Sequence, residues 1–144
     1  MAAYNKFEDF SEQLVKGTHA IGTHVYKVAL TNTAPTNSQT QFLLANHPAP
    51  AAANGYPAGG ATTTLTVSET AGTTTVQGTE AIFTASGGSI GPFRYAILYN
   101  DTATSPADAA VAWFDYGSSI TLLVGESINV KFNNASTGNV FTLV

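Results

Sequence analysis

The feature that most constrains the fold is a series of short apolar runs that fills the chain from residue 62 to its end. In the run 93–99, aromatic and aliphatic side chains alternate with a period of two, which predicts a strand with both faces mostly covered. Runs of this length, separated by turn residues, are typical of antiparallel sandwiches and barrels. The predicted strands are 62–67, 80–85, 93–99, 111–116, 119–124, 127–132 and 139–144.

The segments between these runs are rich in Gly, Pro, Asn, Asp, Ser and Thr, which predicts turns. They are "TAGTTTVQG", "SGGSIGP", "NDTATSPADAA", "YGS", "GE" and "NNASTG". The stretch "LLVGESINVKF" predicts a hairpin with Gly125 and Glu126 at its bend. One more strand is predicted in "HVYKVALT", because Tyr26, Val28 and Leu30 recur there with a period of two.

One helix is predicted over residues 5–16, ahead of the β-rich part of the chain. Its apolar residues recur at helical spacing, namely Phe7, Phe10 and Leu14. Asn5 followed by Glu8 resembles a capping box, and Gly17 fits a C-terminal stop. We expect the phenylalanine face of this helix to pack on the core, the alternative being contact with a neighbouring subunit.

Residues 34–60 interrupt the strand pattern, which predicts an extended arm. The segment contains most of the chain's prolines and one apolar island, "FLLA". A loop this long within a compact domain is usually functional or disordered. We expect the arm to serve attachment rather than folding, with a neighbouring subunit covering its apolar side chains. The partner-binding candidates in the arm are Phe42, Leu43, Leu44 and Tyr56.

The composition predicts one domain with an unusually uncharged surface. A chain of 144 residues can bury a sizeable core, so a single domain over residues 1–144 needs neither metal nor disulfide, and the chain has no cysteine. Charged residues make up 10% of the chain, well below the usual roughly one quarter. The predicted fold class is mainly β, an antiparallel β-sandwich or barrel of about seven or eight short strands with one N-terminal helix and a long arm.

The charge pattern and the N-terminus argue against two classes of partner. The net charge is -4 and the basic residues are scattered, whereas nucleic-acid binding needs clustered Lys and Arg. The start "MAAYNKFEDF" lacks a basic region followed by an apolar run, and no apolar stretch approaches the ~20 residues that span a bilayer. We therefore expect no nucleic-acid partner, no membrane partner, and a soluble protein synthesised in the cytoplasm.

The sequence contains no convincing catalytic, metal or cofactor site. The glycines of "GGSIGPFRYA" match neither phosphate-loop spacing, and Pro92 removes a backbone donor, so the segment is predicted to be a hinge that starts a strand. His19 and His24 lie past the predicted helix and are expected to be exposed or hydrogen-bonded rather than zinc ligands. We predict a protein that is not an enzyme and uses no cofactor or metal.

Three other residues have alternative interpretations. Asp115 is expected to face solvent or to pair with a nearby Lys or Arg, the alternative being a carboxyl group with a raised pKa in a cleft. Arg94 carries a rigid fork of donors and is a candidate for binding a carboxylate of a neighbouring subunit, or else an ordinary surface residue. Trp113 is predicted to be largely buried against the strand 93–99, the alternative being a sugar-stacking platform.

The segment "GGSIGPFRYAILYNDTATSPADAAVAWFDYGSSITLLVGESINVKF" resembles, as a whole, the small virion structural proteins of tailed bacteriophages. In those proteins a "GGSIGPFRYA-LYND" segment is followed by a "W-DYG-S-TL--GE" segment. The stretch "YKVALTNTAP" at residues 26–35 matches their opening as well. The resemblance implies a place in the virion, and no catalytic residues carry over with it.

Among virion proteins, a β domain of 14.9 kDa with few charges and an extended arm is similar to capsid decoration, or cement, proteins. That likeness implies that the chain lies on the capsid surface, binds the major capsid protein and associates with its own copies as a homotrimer. A tail, neck or fibre-associated subunit is the alternative within the virion. A carbohydrate-binding module is the alternative outside it, and a hydrolase is the least favoured.

Overall fold

The computed structural model describes residues 2–37 and 47–144. Its elements in chain order are β1 (Asn5–Lys6), α1 (Asp9–Val15), β2 (Tyr26–Thr31), β3 (Ala61–Thr63), β4 (Leu65–Thr70), β5 (Thr73–Thr79), β6 (Ala81–Thr84), β7 (Ile90–Thr104), β8 (Ala107–Leu122), β9 (Ser127–Val130) and β10 (Thr137–Leu143). All strand pairs are antiparallel, in sheets of order β1-β8-β7-β2-β3, β10-β5-β4 and β6-β9. The predicted fold class, a mainly β antiparallel sandwich or barrel with one N-terminal helix, is confirmed, and the described residues form ten strands where seven or eight were predicted.

The long hairpin of β7 and β8 forms the centre of the larger sheet, and β2 pairs with β7 on the side away from β8. Val28 lies opposite Leu98, and both face the main core with no exposed surface. The next pair, Ala29 and Ile97, faces the opposite side and packs there in a second apolar cluster with Tyr99. Both faces of this strand are therefore covered, as the alternation in residues 93–99 predicts.

The chain passes from the larger sheet to the second layer at Thr64, between β3 and β4. The N–H of Thr79 donates to the carbonyl oxygen of Thr64 at 3.1 Å, and the N–H of Thr64 donates to the hydroxyl of Thr79 at 2.9 Å. Beyond this corner, β4 and β5 form a hairpin whose two-residue turn has positive φ at Ala71 (51°) and Gly72 (86°). Positive φ at both turn residues is the type I′ geometry, which matches the twist of the flanking strands.

The main core lies between the layers and is built around large aromatic rings. Phe83 stacks on Tyr56 with 5.4 Å between ring centroids, and Phe132 meets Phe114 edge-on at 5.8 Å. Gly78 lets β5 lie directly on the Phe132 ring, because a Cβ at this position would stand 2.7 Å from that ring. The close packing of β5 over the core therefore depends on a residue without a side chain.

The predicted helix is shorter than 5–16, because the residues at its expected start are taken by the larger sheet. Asn5 and Lys6 pair with β8, and the N–H of Phe7 donates to the carbonyl of Val111 at 3.2 Å. The side chain of Asn5 binds backbone carbonyls, so no capping box forms. Phe10 packs in the main core as expected.

Residues 47–60 belong to the domain, so the prediction of an extended arm over 34–60 is wrong for this part. Tyr56 is only 3% exposed, and its hydroxyl accepts a hydrogen bond from the N–H of Leu30 at 3.0 Å. Since β3 pairs with β2 only as far as Val28, Tyr56 supplies the partner that the strand lacks further along.

The glycines and prolines that suggested an arm instead allow this segment to lie close against the sheet. A Cβ at Gly60 would stand 2.0 Å from the carbonyl oxygen of Val28, so only glycine fits. His47 is buried, and the hydroxyl of Thr31 donates to the carbonyl of Pro48 at 3.1 Å. The segment therefore contributes to folding.

Several predicted breaks have other structures. "TAGTTTVQG" contains most of β5 and the turn before it, and "NDTATSPADAA" consists mainly of the adjoining ends of β7 and β8. "YGS" lies within β8 at an irregularity, where the five-residue step from Asp115 to Ile120 runs against a two-residue step of β7. The bend at Gly125 exists, but "LLVGESINVKF" is not a hairpin, because β9 pairs with β6 in a different sheet. Strand partners depend on contacts between distant residues, which the local pattern does not contain.

Candidate partner-binding surface

Two of the five predicted partner-binding residues, Tyr56 and Arg94, lie among the residues that the structure describes. Phe42, Leu43 and Leu44 lie outside the described residues, so their assignment stays a prediction. Tyr56 lies in the core, and the prediction that it binds a partner is corrected, because its ring is covered by Phe83 and its hydroxyl is engaged by Leu30.

Arg94 pairs within its own chain rather than presenting its fork to a neighbour. Its Nε donates to Oδ1 of Asp115 at 2.8 Å and its Nη2 donates to Oδ2 at 2.9 Å, an arrangement that is bidentate. Hydrogen bonds from Arg94 and from the N–H of Gly117 hold the pKa of the Asp115 carboxyl below its ordinary value. The interpretation of Asp115 as the partner of a nearby arginine is confirmed, and its alternative of a raised pKa is wrong.

The two histidines flank a buried asparagine. The amide nitrogen of Asn100 lies 3.0 Å from Nδ1 of His24 and 3.4 Å from Nδ1 of His19. Burial, with the nearby His24 as a smaller cause, lowers the pKa of His19 to about 4. The contacts with Asn100 confirm the hydrogen-bonded interpretation of this pair. The His19 ring also stacks on Tyr26 and meets Phe10. Among residues 2–37 and 47–144, no group of three or more His, Cys, Asp or Glu side chains could hold a metal ion.

A second polar cluster, which the sequence did not reveal, lies on the outer face of the larger sheet. Nζ of Lys27 is 2.8 Å from Oδ2 of Asp101, and the hydroxyl of Tyr99 donates to the carbonyl of Gly59 at 2.7 Å. Burial raises the pKa of the Asp108 carboxyl, and the nearby Asp101 adds to that effect. These contacts hold the Gly59 segment to β2 and β7, which is a structural role.

Trp113 is mostly covered and packs against the second apolar cluster beside Ile97 and Tyr99, which agrees with the prediction that it is largely buried against the strand 93–99. Its ring meets Tyr95 edge-on at 6.0 Å between centroids, and its Nε1 donates to the side-chain oxygen of Asn37 at 2.9 Å. Tyr95 also lies beneath the guanidinium of Arg94, 5.2 Å from its ring centroid. Both aromatic rings are therefore partly occupied by contacts within the chain.

A cavity of about 270 Å³ lies between the larger sheet and β9. Apolar residues from both sides line it, including Leu30, Phe114 and Ile128, together with the two cations Arg94 and Lys131. Arg94 is paired with Asp115, and Nζ of Lys131 lies 3.8 Å from Oε2 of Glu80. Both charges are thus balanced within the chain, which leaves the cavity as a mainly apolar slot.

The surface best suited to contact another chain is the outer edge of β4. Thr64 and Thr79 form a hydrogen-bonded pair. Along an antiparallel ladder, hydrogen-bonded pairs alternate with pairs that exchange no backbone hydrogen bonds. The even-numbered residues of β4 therefore direct their backbone groups toward β5. Leu65, Val67 and Glu69 direct theirs away from β5, toward the side where the sheet ends.

The other described sheet edges are short or irregular. β1 has two residues, β3 has three, and β6 and β9 have four each. β10 carries a register shift between Asn139 and Phe141, and β8 carries one between Asp115 and Ile120. Short strands and bulges protect edges from pairing with other chains. β4 has neither, and its six residues contain one charged side chain and no proline.

The β4–β5 hairpin projects from the sandwich and buries little of itself. In β4 only Leu65 is buried, whereas Val67 on the same face is 49% exposed. The turn faces open space at Gly72, since a Cβ there would have no neighbour within 4 Å. An exposed, regular and nearly uncharged edge of this kind is a template for strand addition by another chain.

Comparison with known proteins gives no relative, because no protein-family model, curated protein or solved structure matches the chain. No helix in the described ranges has the length and apolar character needed to cross a membrane.

Proposed function

We propose that this chain is a structural protein of a bacteriophage virion, and specifically a decoration protein that binds the major capsid shell and stabilises it. The sequence resemblance supports the virion role. The observation that carries the structural role is the open edge of β4 on a hairpin that its own domain leaves largely uncovered.

The physical argument concerns how a shell is reinforced. A binder that spans several subunits gains from many modest contacts, because each contact raises the effective concentration of the next. A β-sandwich with few charged side chains suits such a role, since close packing against neighbours requires little desolvation of charge. The exposed apolar residues of the turn after β8, Leu123 and Val124, offer a further surface for contact with the shell.

A tail, neck or fibre-associated position is the alternative within the virion, since an open strand edge could bind a neighbouring chain there as well. The two positions differ in copy number. A decoration protein is present in numbers comparable to the major capsid protein, whereas a neck or tail subunit is present in a few copies to a few dozen copies.

The test is quantitative protein analysis of purified particles of the encoding phage, together with sedimentation of the purified chain with empty shells. We expect a copy number near that of the major capsid protein and saturable binding to shells. A low copy number with no shell binding would favour the tail or neck. Binding to a glycan array without binding to shells would instead favour the carbohydrate-binding module.

A further inference from the structure

The open edge of β4 is self-complementary, which points to the kind of chain that pairs with it. We propose that β4 pairs antiparallel with β4 of a second copy, around a twofold axis that passes through Val67. This inference rests on the proposed structural role, because both depend on the open edge of β4. Pairing would join the two three-stranded sheets into one continuous sheet of strands from both copies.

The direction of the backbone groups fixes the register. Only Leu65, Val67 and Glu69 offer outward N–H and C=O groups, so these residues must lie opposite one another in the two copies. Centring the pair on Val67 places Leu65 opposite Glu69 of the second copy, so that all three outward residues are used. Centring it on Leu65, Thr66, Ser68 or Glu69 leaves outward residues without partners in β4.

The side chains are compatible with that register. On one face Val67 meets its own counterpart, which covers a side chain that is 49% exposed in the single chain. On the other face Thr66 lies opposite Ser68 of the second copy, a pair that hydrogen-bonds favourably across strands.

Charge also permits the pairing. Glu69 is the only charged residue of β4, and the register separates it from the Glu69 of the second copy by the length of the strand. Its Oε1 accepts a hydrogen bond from the N–H of Gly72 at 2.6 Å, so the carboxylate is held back over its own turn. Like charges therefore do not oppose each other directly across the edge.

The size of the contact predicts a weak association in free solution. A pair of six-residue strands falls below the roughly 1,200 Å² at the low end of stable interfaces. We therefore expect the pairing to be reversible and most populated where copies are concentrated, as they are on a particle.

Single cysteines test the register directly, because the chain has no cysteine of its own. The variants are Val67→Cys, Thr66→Cys and Ser68→Cys, each oxidised at high protein concentration and separated on a non-reducing gel. In the proposed register Val67→Cys meets its own counterpart, whereas Thr66→Cys lies diagonal to its counterpart, beyond disulfide reach. We expect Val67→Cys to form disulfide dimers at least about tenfold faster than either other variant alone.

Mixing provides the matched control, since Thr66→Cys and Ser68→Cys together should form a mixed dimer about as fast as Val67→Cys alone. Val67→Pro adds a measurement that needs no cross-link. Its missing N–H faces outward, so the fold should survive while concentration-dependent dimerisation in sedimentation equilibrium is lost. Circular dichroism checks that each variant is folded.

Equal cross-linking rates for the three cysteines, fastest cross-linking by Thr66→Cys, or unchanged dimerisation of a folded Val67→Pro would each overturn the proposal. The decoration role is judged separately by shell binding of the wild-type chain. A chain that binds shells without pairing through β4 rejects only this inference, and a chain that pairs without binding shells rejects only the decoration role.

Discussion

The hydroxyl of Tyr56 accepts a hydrogen bond from the backbone N–H of Leu30 at 3.0 Å and so continues the edge of the larger sheet where β3 ends. Tyr56→Phe would keep the ring on Phe83 but leave a buried N–H without its partner. We expect the free energy of unfolding to fall by about 1–3 kcal/mol in chemical denaturation.

Tyr116→Phe is the matched control, because Tyr116 is 60% exposed and its hydroxyl can bond to water. Its effect should lie within about 0.5 kcal/mol. If Tyr56→Phe is equally neutral, the segment 47–60 contributes less to folding than its contacts indicate, and the original expectation of an arm regains support.

The turn of the β4–β5 hairpin contains a residue poorly suited to its conformation. Ala71 has a φ of 51°, a left-handed value that costs residues with a Cβ roughly 1–2 kcal/mol, whereas Asn tolerates it better. Ala71→Asn should therefore raise the free energy of unfolding by about 0.5 kcal/mol. Gly72→Ala, at a φ of 86°, should instead lower the free energy of unfolding. Thermal melts that rank the two variants in the opposite order would contradict the type I′ turn.

Stability should fall in mild acid because of His19. Its pKa is lowered to about 4 by burial, below its ordinary value of 6.5, so the unfolded chain binds a proton more readily than the folded one. The contribution of His19 to the free energy of unfolding is present above pH 6.5 and is lost as the pH falls toward 4. The free energy falls by at most about 1.4 kcal/mol per pH unit.

The variant His19→Gln isolates that contribution, since groups distant from residue 19 titrate equally in both proteins. Between pH 6.5 and 4.5 the unfolding free energy of the wild type should fall more steeply than that of His19→Gln. Parallel pH profiles would show that His19 is not buried as a neutral ring.

The Arg94–Asp115 pair should be visible in the titration of the carboxyl group. Because Arg94 donates two hydrogen bonds to the carboxylate, Arg94→Ala should move the pKa of Asp115 up toward its ordinary value. Arg94→Lys should give an intermediate pKa, since it keeps the charge and loses the fork. Carbon-detected NMR titration measures the change. The pair stabilises the fold at pH values above the ordinary pKa of the carboxyl, and that contribution is lost as the pH falls through its lowered pKa.

The parts of the fold that the sequence predicts are those set by local alternation. The run 93–99 has a period of two with large side chains, and it forms the central strand with both faces covered. β5 was missed because its threonines and glycine suggest a turn, although Val76 alone anchors it in the core. β5 forms a strand because it packs against Phe132, and not because its residues have a high β propensity.

The candidate site was harder to predict, because an open edge is a property of the whole sheet. The run 62–67 contains half of β4, yet nothing in it says that no strand follows on the outer side. Arg94 was singled out as a candidate for binding a carboxylate of a neighbouring subunit, whereas its carboxylate partner in the structure lies on the adjacent strand of the same chain. Sequence separation hides such pairs, since Asp115 becomes a neighbour only through the β7–β8 register.

Amide hydrogen exchange of β4 in particle-bound and free protein tests the central claim most directly. The N–H groups of Val67 and Glu69 face outward in the single chain, so they should exchange rapidly in dilute solution. If a neighbouring chain completes the edge, the peptide covering β4 should gain at least about tenfold protection in particles, while the turn at Gly72 stays unprotected. Exchange of β4 at the same rate in free and bound protein, with protection gained elsewhere, would contradict the account.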